Sequence, residues 1–158
     1  MVWPWMRTEK EKMLAGELYC SADEEIQRDH ARAKEWTHAF NSCHPTEEAK
    51  RQDIIRRLLV AKGCFYIEAP FNCDFGYNIE IGDNFYANYN CVILDVNKVT
   101  IGANTMLAPN VQIYSATHPC EPELRRRKLE LGKPVTIGAD VWIGGGAIVC
   151  SGVSIGNR

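Results

Sequence analysis

The spacing of apolar positions divides the chain into two stretches. Residues 8 to about 62 carry a helical period. Ile26, Ala33, Trp36 and Phe40 recur at spacings of seven, three and four, which gathers them on one helix face. Ser21 and Glu24 have the order of a capping box at its start. Pro45 and Thr46 open a second helix with the stripe Ile54, Ile55, Leu58 and Leu59, and Gly63 is its expected stop. The opposite faces are polar, so these helices read as a cover laid on something larger.

From about residue 79 the period becomes six. Ile81-Gly82 leads to Ala87, Ile93 and Val99. A second frame runs through Ile101-Gly102, Leu107-Ala108 and Ile113. A third runs through Ile137-Gly138, Ile143-Gly144, Val149-Cys150 and Ile155-Gly156. The tetrads Val135-Thr136-Ile137-Gly138 and Val153-Ser154-Ile155-Gly156 lie 18 residues apart, or three hexads. A plain strand repeats every two residues, so this period needs another structure. A short strand and a turn, three times per coil, wrap a triangular prism. The aliphatic residue of each hexad points inward, and the next position sits at a corner with room for Gly or Ala. Stacked coils then pair as parallel strands around one core, which makes the chain mainly β, a parallel β-helix with a helical segment before it. The expected boundaries are 8–62 for the helical region and 63–158 for the repeats.

Residues 119–134 break the repeat and read as a loop extruded from the coil, a place where function concentrates. His118 stands immediately before it and is the single histidine of the repeat region. Imidazole exchanges a proton near neutrality, which makes His118 a candidate general base. Gly144, Gly145 and Gly146 expose backbone where a slender chain can approach, or else simply pack a corner. Trp142 either flanks such a chain or covers a coil edge. The run Arg125-Arg126-Arg127 reads as solvated loop more readily than as a phosphate contact.

Composition narrows the partners. A formal net charge of -2 gives no polycationic surface for nucleic acid. No apolar run reaches the roughly 18 residues of a membrane span. Met1 to Trp5 is short and is followed at once by charges, so no signal peptide is expected and the cytoplasm fits. The 7 cysteines are odd in number, scattered and without a C-x-x-C pair. They are expected to be free thiols, mostly small buried hydrophobes.

Several stretches carry a family resemblance: Glu9-Lys10-Glu11-Lys12-Met13-Leu14-Ala15-Gly16-Glu17-Leu18-Tyr19, Cys73-Asp74-Phe75-Gly76-Tyr77-Asn78, Asn84-Phe85-Tyr86-Ala87-Asn88, Met106-Leu107-Ala108-Pro109, Ala116-Thr117-His118-Pro119, Leu131-Gly132-Lys133-Pro134 and Val141-Trp142-Ile143-Gly144-Gly145. Together they resemble the hexapeptide-repeat sugar O-acetyltransferases, above all the maltose type, and less closely the galactoside and nodulation-factor types. The resemblance implies a left-handed parallel β-helix and a homotrimer with active sites between neighbouring prisms. It also implies acetyl-coenzyme A (acetyl-CoA) as co-substrate, a small sugar acceptor such as maltose, glucose or a galactoside, and no metal.

By the same resemblance His118 is the catalytic base, and Glu130 is placed to orient its other ring nitrogen as a carboxylate does in a catalytic triad. Asp74, Asn88 and Asp95 contact the acceptor, while Ala108, Trp142, Gly144 and Gly145 line the coenzyme. Turn-forming roles for Asp74 and Asn88, and a solvated loop carboxylate for Glu130, stay open as alternatives. His30 stands where the resemblance leads one to expect a basic residue on the acceptor side. It also implies further coils beyond Ile155-Gly156, which keeps open a structural or pseudoenzyme trimer of the same fold. A zinc hydrolyase on a β-helix needs three histidines around one metal, and the repeat region holds His118 alone.

Overall fold

The structure, a computed structural model, describes residues 7–158. The apolar start Met1–Met6, and the reading of it as no signal peptide, lie outside the described residues. Helix α1 (Glu9–Ala15) opens on a capping box: the Thr8 hydroxyl accepts from the Glu11 N–H, and the Glu11 carboxylate accepts from the Thr8 N–H. Strand β1 (Tyr19–Cys20) follows, then α2 (Glu24–Asn41) and α3 (Glu48–Leu58).

Two expected helix signals are corrected. The cap of α2 is Asp23, whose Oδ1 accepts from the N–H of Glu25 and Ile26. It supplies the oxygen expected of Ser21 and adds a charge that suits a helix N-terminus. Gly63 is not the stop of α3. The helix ends at Leu58, Leu59 is extended, and Gly63 (φ 76°) turns a corner of the first coil.

The prism begins at β2 (Val60–Ala61), β3 (Phe65–Ile67) and β4 (Phe71–Cys73). The second coil is β5 (Ile79–Ile81), β6 (Phe85–Ala87) and β7 (Cys91–Leu94). The third is β8 (Val99–Ile101), β9 (Met106–Leu107) and β10 (Gln112–Tyr114). An excursion of β11 (Ala116–Thr117), α4 (Pro122–Arg126) and β12 (Leu129–Gly132) interrupts before β13 (Val135–Ile137), β14 (Trp142–Ile143), β15 (Ile148–Val149) and β16 (Ser154–Ile155).

The strands stack as three parallel walls. The first wall has the order β16-β13-β8-β5-β2, the second β14-β9-β6-β3, and the third β15-β10-β7-β4. Register follows the hexads: Ala61, Ile81, Ile101, Ile137 and Ile155 form one column. The inward positions Ile79, Ile81, Ala87, Ile93, Val99, Ile101, Leu107, Val111 and Ile113 are at most 1% exposed, so they form one continuous core. The first coil was not legible as a repeat because Lys62, Glu68 and Asp74 follow its inward residues, with none of the Gly or Ala that mark Gly82, Gly102, Ala108, Gly138 and Gly144 in later coils.

Corners explain the small residues. A Cβ on Gly102 would stand 2.5 Å from the backbone nitrogen of Ala139, so the coil above leaves no space. Asn84, Asn104 and Asp140 adopt the left-handed conformation at the same corner (φ 56°, 57° and 60°), which these residues tolerate. Their side chains form a ladder, with Asn84 donating to Asn104 at 3.0 Å and Asn104 to Asp140 at 2.9 Å.

The helices cover the open edge of the first coil. Gln52 donates to the Phe65 carbonyl (2.8 Å) and Arg51 to that of Ile67 (3.1 Å). The Asn41 amide both donates to and accepts from the Phe71 backbone, at 2.9 Å each way. Side chains thus satisfy an edge that would otherwise invite another strand.

The predicted loop 119–134 is in part a hairpin: β12 pairs antiparallel with β11 and, on its other edge, with β1. All seven cysteines are free; Cys43, Cys73 and Cys91 are buried, but Cys64, Cys120 and Cys150 are exposed, against the expectation that most would pack inside. They sit at turns or in the excursion, where side chains leave the prism. Among the described residues no helix is long and apolar enough to cross a membrane.

Candidate active site

The excursion leaves the corner between the third and first walls. Its antiparallel register pairs Ala116 with Gly132 and Thr117 with Leu131, and His118 follows directly after the end of β11. On the other edge of β12, Glu130 pairs with Tyr19. Tyr19 and Glu130 are therefore cross-strand partners, and His118 stands one residue past the end of β11. His118 is exposed, and Glu130 is half-buried with its Oε2 accepting from the Tyr19 hydroxyl at 3.0 Å. Among the described residues no hydrogen bond joins His118 to Glu130, so the expected orienting bond is not formed in this structure.

A cavity of about 220 Å³ opens beside the Tyr19–Glu130 pair. Tyr19, Ser21, Gln27, His30, Asp74 and Glu130 give it polar groups, and Ile26, Phe75 and Val96 give it an apolar floor. His30 Nε2 lies 3.7 Å from Asp74 Oδ1, and its ring rests 5.8 Å from that of Phe75. Burial lowers the pKa of His30, and Lys34 adds to this, which favours the neutral ring. Burial, with the charge of Glu130 behind it, raises the Asp74 carboxyl to about 6. The cavity offers carboxylates, a hydroxyl and an amide over an apolar surface, a set suited to a small polyhydroxylated molecule.

Asp95 plays a different part from the expected direct contact. It is 0% exposed, and its carboxylate accepts from the N–H groups of Asp74 (3.1 Å), Phe75 (2.9 Å) and Asn78 (3.2 Å). Burial raises its carboxyl to about 7 against the pull of those donors. Asp95 thus shapes the turn that presents Asp74 and does not itself reach the cavity.

The remaining predicted residues lie on another edge of the prism. Asn88, Ala108 and Gly144 stack at the corner between the second and third walls, where the Asn88 N–H donates to Leu107 and the Ala108 N–H to Ile143. Asn88 Oδ1 accepts from the N–H of the next residue, Tyr89, at 2.8 Å. Gly145 adjoins them, with a hypothetical Cβ 3.3 Å from the Pro109 carbonyl, while a Cβ on Gly144 would meet nothing within 4 Å. Packing within this chain therefore does not demand glycine at 144. Trp142 is 74% exposed on the second wall. The third wall separates these residues from His118, Glu130 and Asp74, so one copy of the chain does not bring the two groups together.

Tyr19, Ser21 and Gln27 were missed from the sequence. A signal did exist for His30, which lies on the buried stripe between Ile26 and Ala33, where a polar residue needs a reason. Among the described residues no group of three or more His, Cys, Asp and Glu is arranged to hold a metal ion.

The family profile described as the maltose acetyltransferase hexapeptide capping motif matches residues 12–63, the helical cover and the first strand. Nodulation protein L of Rhizobium meliloti (strain 1021) is 52% identical over 150 residues, covering 94% of this chain and 81% of the relative. The chain belongs to the hexapeptide-repeat O-acetyltransferases. Among solved structures of these acetyltransferases, a maltose O-acetyltransferase from Clostridium difficile 630 superposes with a TM-score of 0.93 at 48% identity, covering 95% of this chain and 81% of that one. A galactoside acetyltransferase in complex with coenzyme A superposes with a TM-score of 0.89 at 36% identity, covering 94% and 75%.

Proposed function

We propose that the protein transfers the acetyl group of acetyl-CoA to a hydroxyl of a small sugar, with His118 as general base. The observation that carries this reading is the cavity lined by Asp74, Glu130 and His30, beside the Tyr19–Glu130 pair on β12, with exposed His118 one residue past the end of β11. A sugar fits its chemistry: carboxylates accept hydroxyl protons, and Phe75 and Ile26 give the pyranose an apolar face. The coenzyme complex of a related acetyltransferase supports acetyl-CoA as donor.

In the reaction the acceptor hydroxyl oxygen attacks the thioester carbonyl carbon. Its proton passes to a ring nitrogen of His118. The carbon–sulfur bond then breaks, and the leaving thiolate takes the proton, giving the sugar ester and free coenzyme A thiol. General-base help of this kind contributes about 10²–10⁴ in rate.

A second copy completes the site in this reading. Asn88, Ala108, Gly144 and Gly145 lie on a different edge from His118, so donor and acceptor groups meet when the corner of one prism approaches the excursion of its neighbour. A homotrimer meets this need. The second wall also presents an outward column of Tyr66, Tyr86, Met106 and Trp142. Tyr66, Met106 and Trp142 are 41%, 47% and 74% exposed, a stripe whose burial against a copy is favourable. The first wall shows Glu80, Thr100, Thr136 and Ser154 instead, and Glu80 is paired with Lys62 and Lys98.

The test is thiol release from acetyl-CoA with maltose, glucose or a galactoside, on the wild type and His118→Ala. Release that requires both sugar and His118 supports the reading. Wild-type turnover in His118→Ala rejects the base, and no release with any sugar rejects the activity.

A further inference from the structure

We propose that Arg125 is a positioning residue, holding in place the segment that presents His118. The proposal rests on His118 being the general base. The sheet anchors His118 on one side only, through the pairs Ala116–Gly132 and Thr117–Leu131. Beyond it the chain runs Pro119-Cys120-Glu121-Pro122, and its two prolines have no N–H to give. Among the described residues no backbone N–H reaches the carbonyls of Pro119 or Cys120.

Arg125 fills that gap. From α4 its side chain folds back, and Nη1 donates to the Pro119 carbonyl and to the Cys120 carbonyl, at 2.7 Å each. A charged donor shared by two consecutive carbonyls fixes the orientation of the peptide between them, and charge-assisted bonds are the stronger kind. The far end of the excursion is tied as well: Lys128 turns the chain at φ 61°, and its carbonyl accepts from the Ser21 N–H (3.1 Å) and hydroxyl (3.2 Å). The path from Ser21 through Lys128 and α4 to Pro119 thus forms a brace behind His118.

The other arginines of the run do not share this role. Arg126 pairs with Glu123 on its own helix, both well exposed. Among the described residues the Arg127 side chain has no hydrogen bond. One member of a basic run that reads as solvated loop therefore does a structural task beside the base. Placement matters here because a shift of about 1 Å at a reacting group can cost roughly 10²-fold in rate.

The experiment compares Arg125→Ala, Arg125→Lys, Arg126→Ala and His118→Ala in the full chain. It measures kcat, KM for acetyl-CoA, melting temperature and amide hydrogen exchange over residues 119–128. In Arg125→Ala, kcat should fall about tenfold to a hundredfold, with KM for acetyl-CoA within about twofold and faster exchange at the hydrogen-bonded amides of residue 125, Arg127 and Lys128. Arg125→Lys should recover part of kcat and part of the protection, because an ammonium reaches the carbonyls as a point donor. Arg126→Ala should match the wild type.

Unchanged kcat in Arg125→Ala overturns the proposal, whether or not exchange rises. If Arg125→Ala melts well below the wild type, Arg125→Lys decides: the proposal requires its exchange to rise and its kcat to fall together, and either change alone overturns it. His118→Ala separates the two layers. If it keeps turnover, the base reading fails; if it is inactive while Arg125→Ala is normal, only the positioning role fails.

Discussion

The Tyr19 hydroxyl donates to Glu130 Oε2 at 3.0 Å across the register of β1 and β12, joining the segment between the first two helices to the rim of the candidate site. Tyr19 is 1% exposed, and burial raises its pKa, with the charge of Glu130 adding to this. It therefore stays a protonated donor that fixes which way the carboxylate points. Tyr19→Phe keeps the ring and removes the donor. It should lower stability by about 1 kcal/mol and weaken acceptor use several-fold, with KM for acetyl-CoA unchanged. Urea unfolding and steady-state kinetics with a sugar series check both parts.

Asp74 sets a pH dependence of stability. Its carboxyl is raised in the folded protein to about 6 from 3.8, chiefly by burial. The folded state thus holds the proton more tightly than the unfolded chain. That contribution is fully present below about pH 4 and is lost as pH rises to about 6. Asp74→Asn removes the titration. At pH 8 the variant should be more stable than the wild type by on the order of 2 kcal/mol, with little gain at pH 4, while acceptor binding weakens. Denaturant unfolding at the two pH values decides it, and a gain at pH 4 equal to that at pH 8 would contradict the assignment.

Two glycines at equivalent steps of the hexad should respond in opposite ways. Gly102→Ala drives a Cβ to 2.5 Å from the Ala139 nitrogen, so it should cost about 1–3 kcal/mol or more. Gly144→Ala meets nothing within 4 Å, so folding should be unaffected. If Gly144 borders the coenzyme, its alanine variant should instead raise KM for acetyl-CoA. Melting curves and kinetics on the pair test this, and a destabilised Gly144→Ala would contradict the corner geometry.

The exposed stripe on the second wall makes a prediction about assembly. Met106 is 47% exposed between Tyr86 and Trp142 in the column. In the proposed trimer, Met106→Asp should leave far-UV circular dichroism unchanged and shift the particle toward monomer in sedimentation. Thiol release should fall with it. A monomeric wild type with full activity would remove the need for a second copy.

Much of the prism was readable because its period is local. The pairs Ile81-Gly82, Ile101-Gly102 and Ile137-Gly138 carry both halves of the requirement, an inward aliphatic and an outer position with no room for a side chain. The first coil was not readable, since Phe65, Ile67, Phe71 and Cys73 fill the core without small residues after them. The cap of α2 was misplaced by two residues because Ser21 and Asp23 offer the same oxygen chemistry. His118 stood out as a candidate by its place before the break in the repeat. Asp95 was legible as a residue of interest but not as a turn former, because its three N–H partners come from a coil seventeen to twenty-one residues away.

The sequence by itself determined the repeat, the helical cover, the break at 119–134 and the histidine beside it, since each depends on spacing along the chain. Only the tertiary structure decided the rest: that β12 joins β1 and so sets Tyr19 against Glu130, that Asp95 is spent on backbone, that Arg125 braces Pro119 and Cys120, and that Gly144 and His118 lie on different edges of one prism. Those facts depend on contacts between residues far apart in the chain. A six-residue period fixes which way a side chain points, but not which coil, helix or excursion it meets when it gets there.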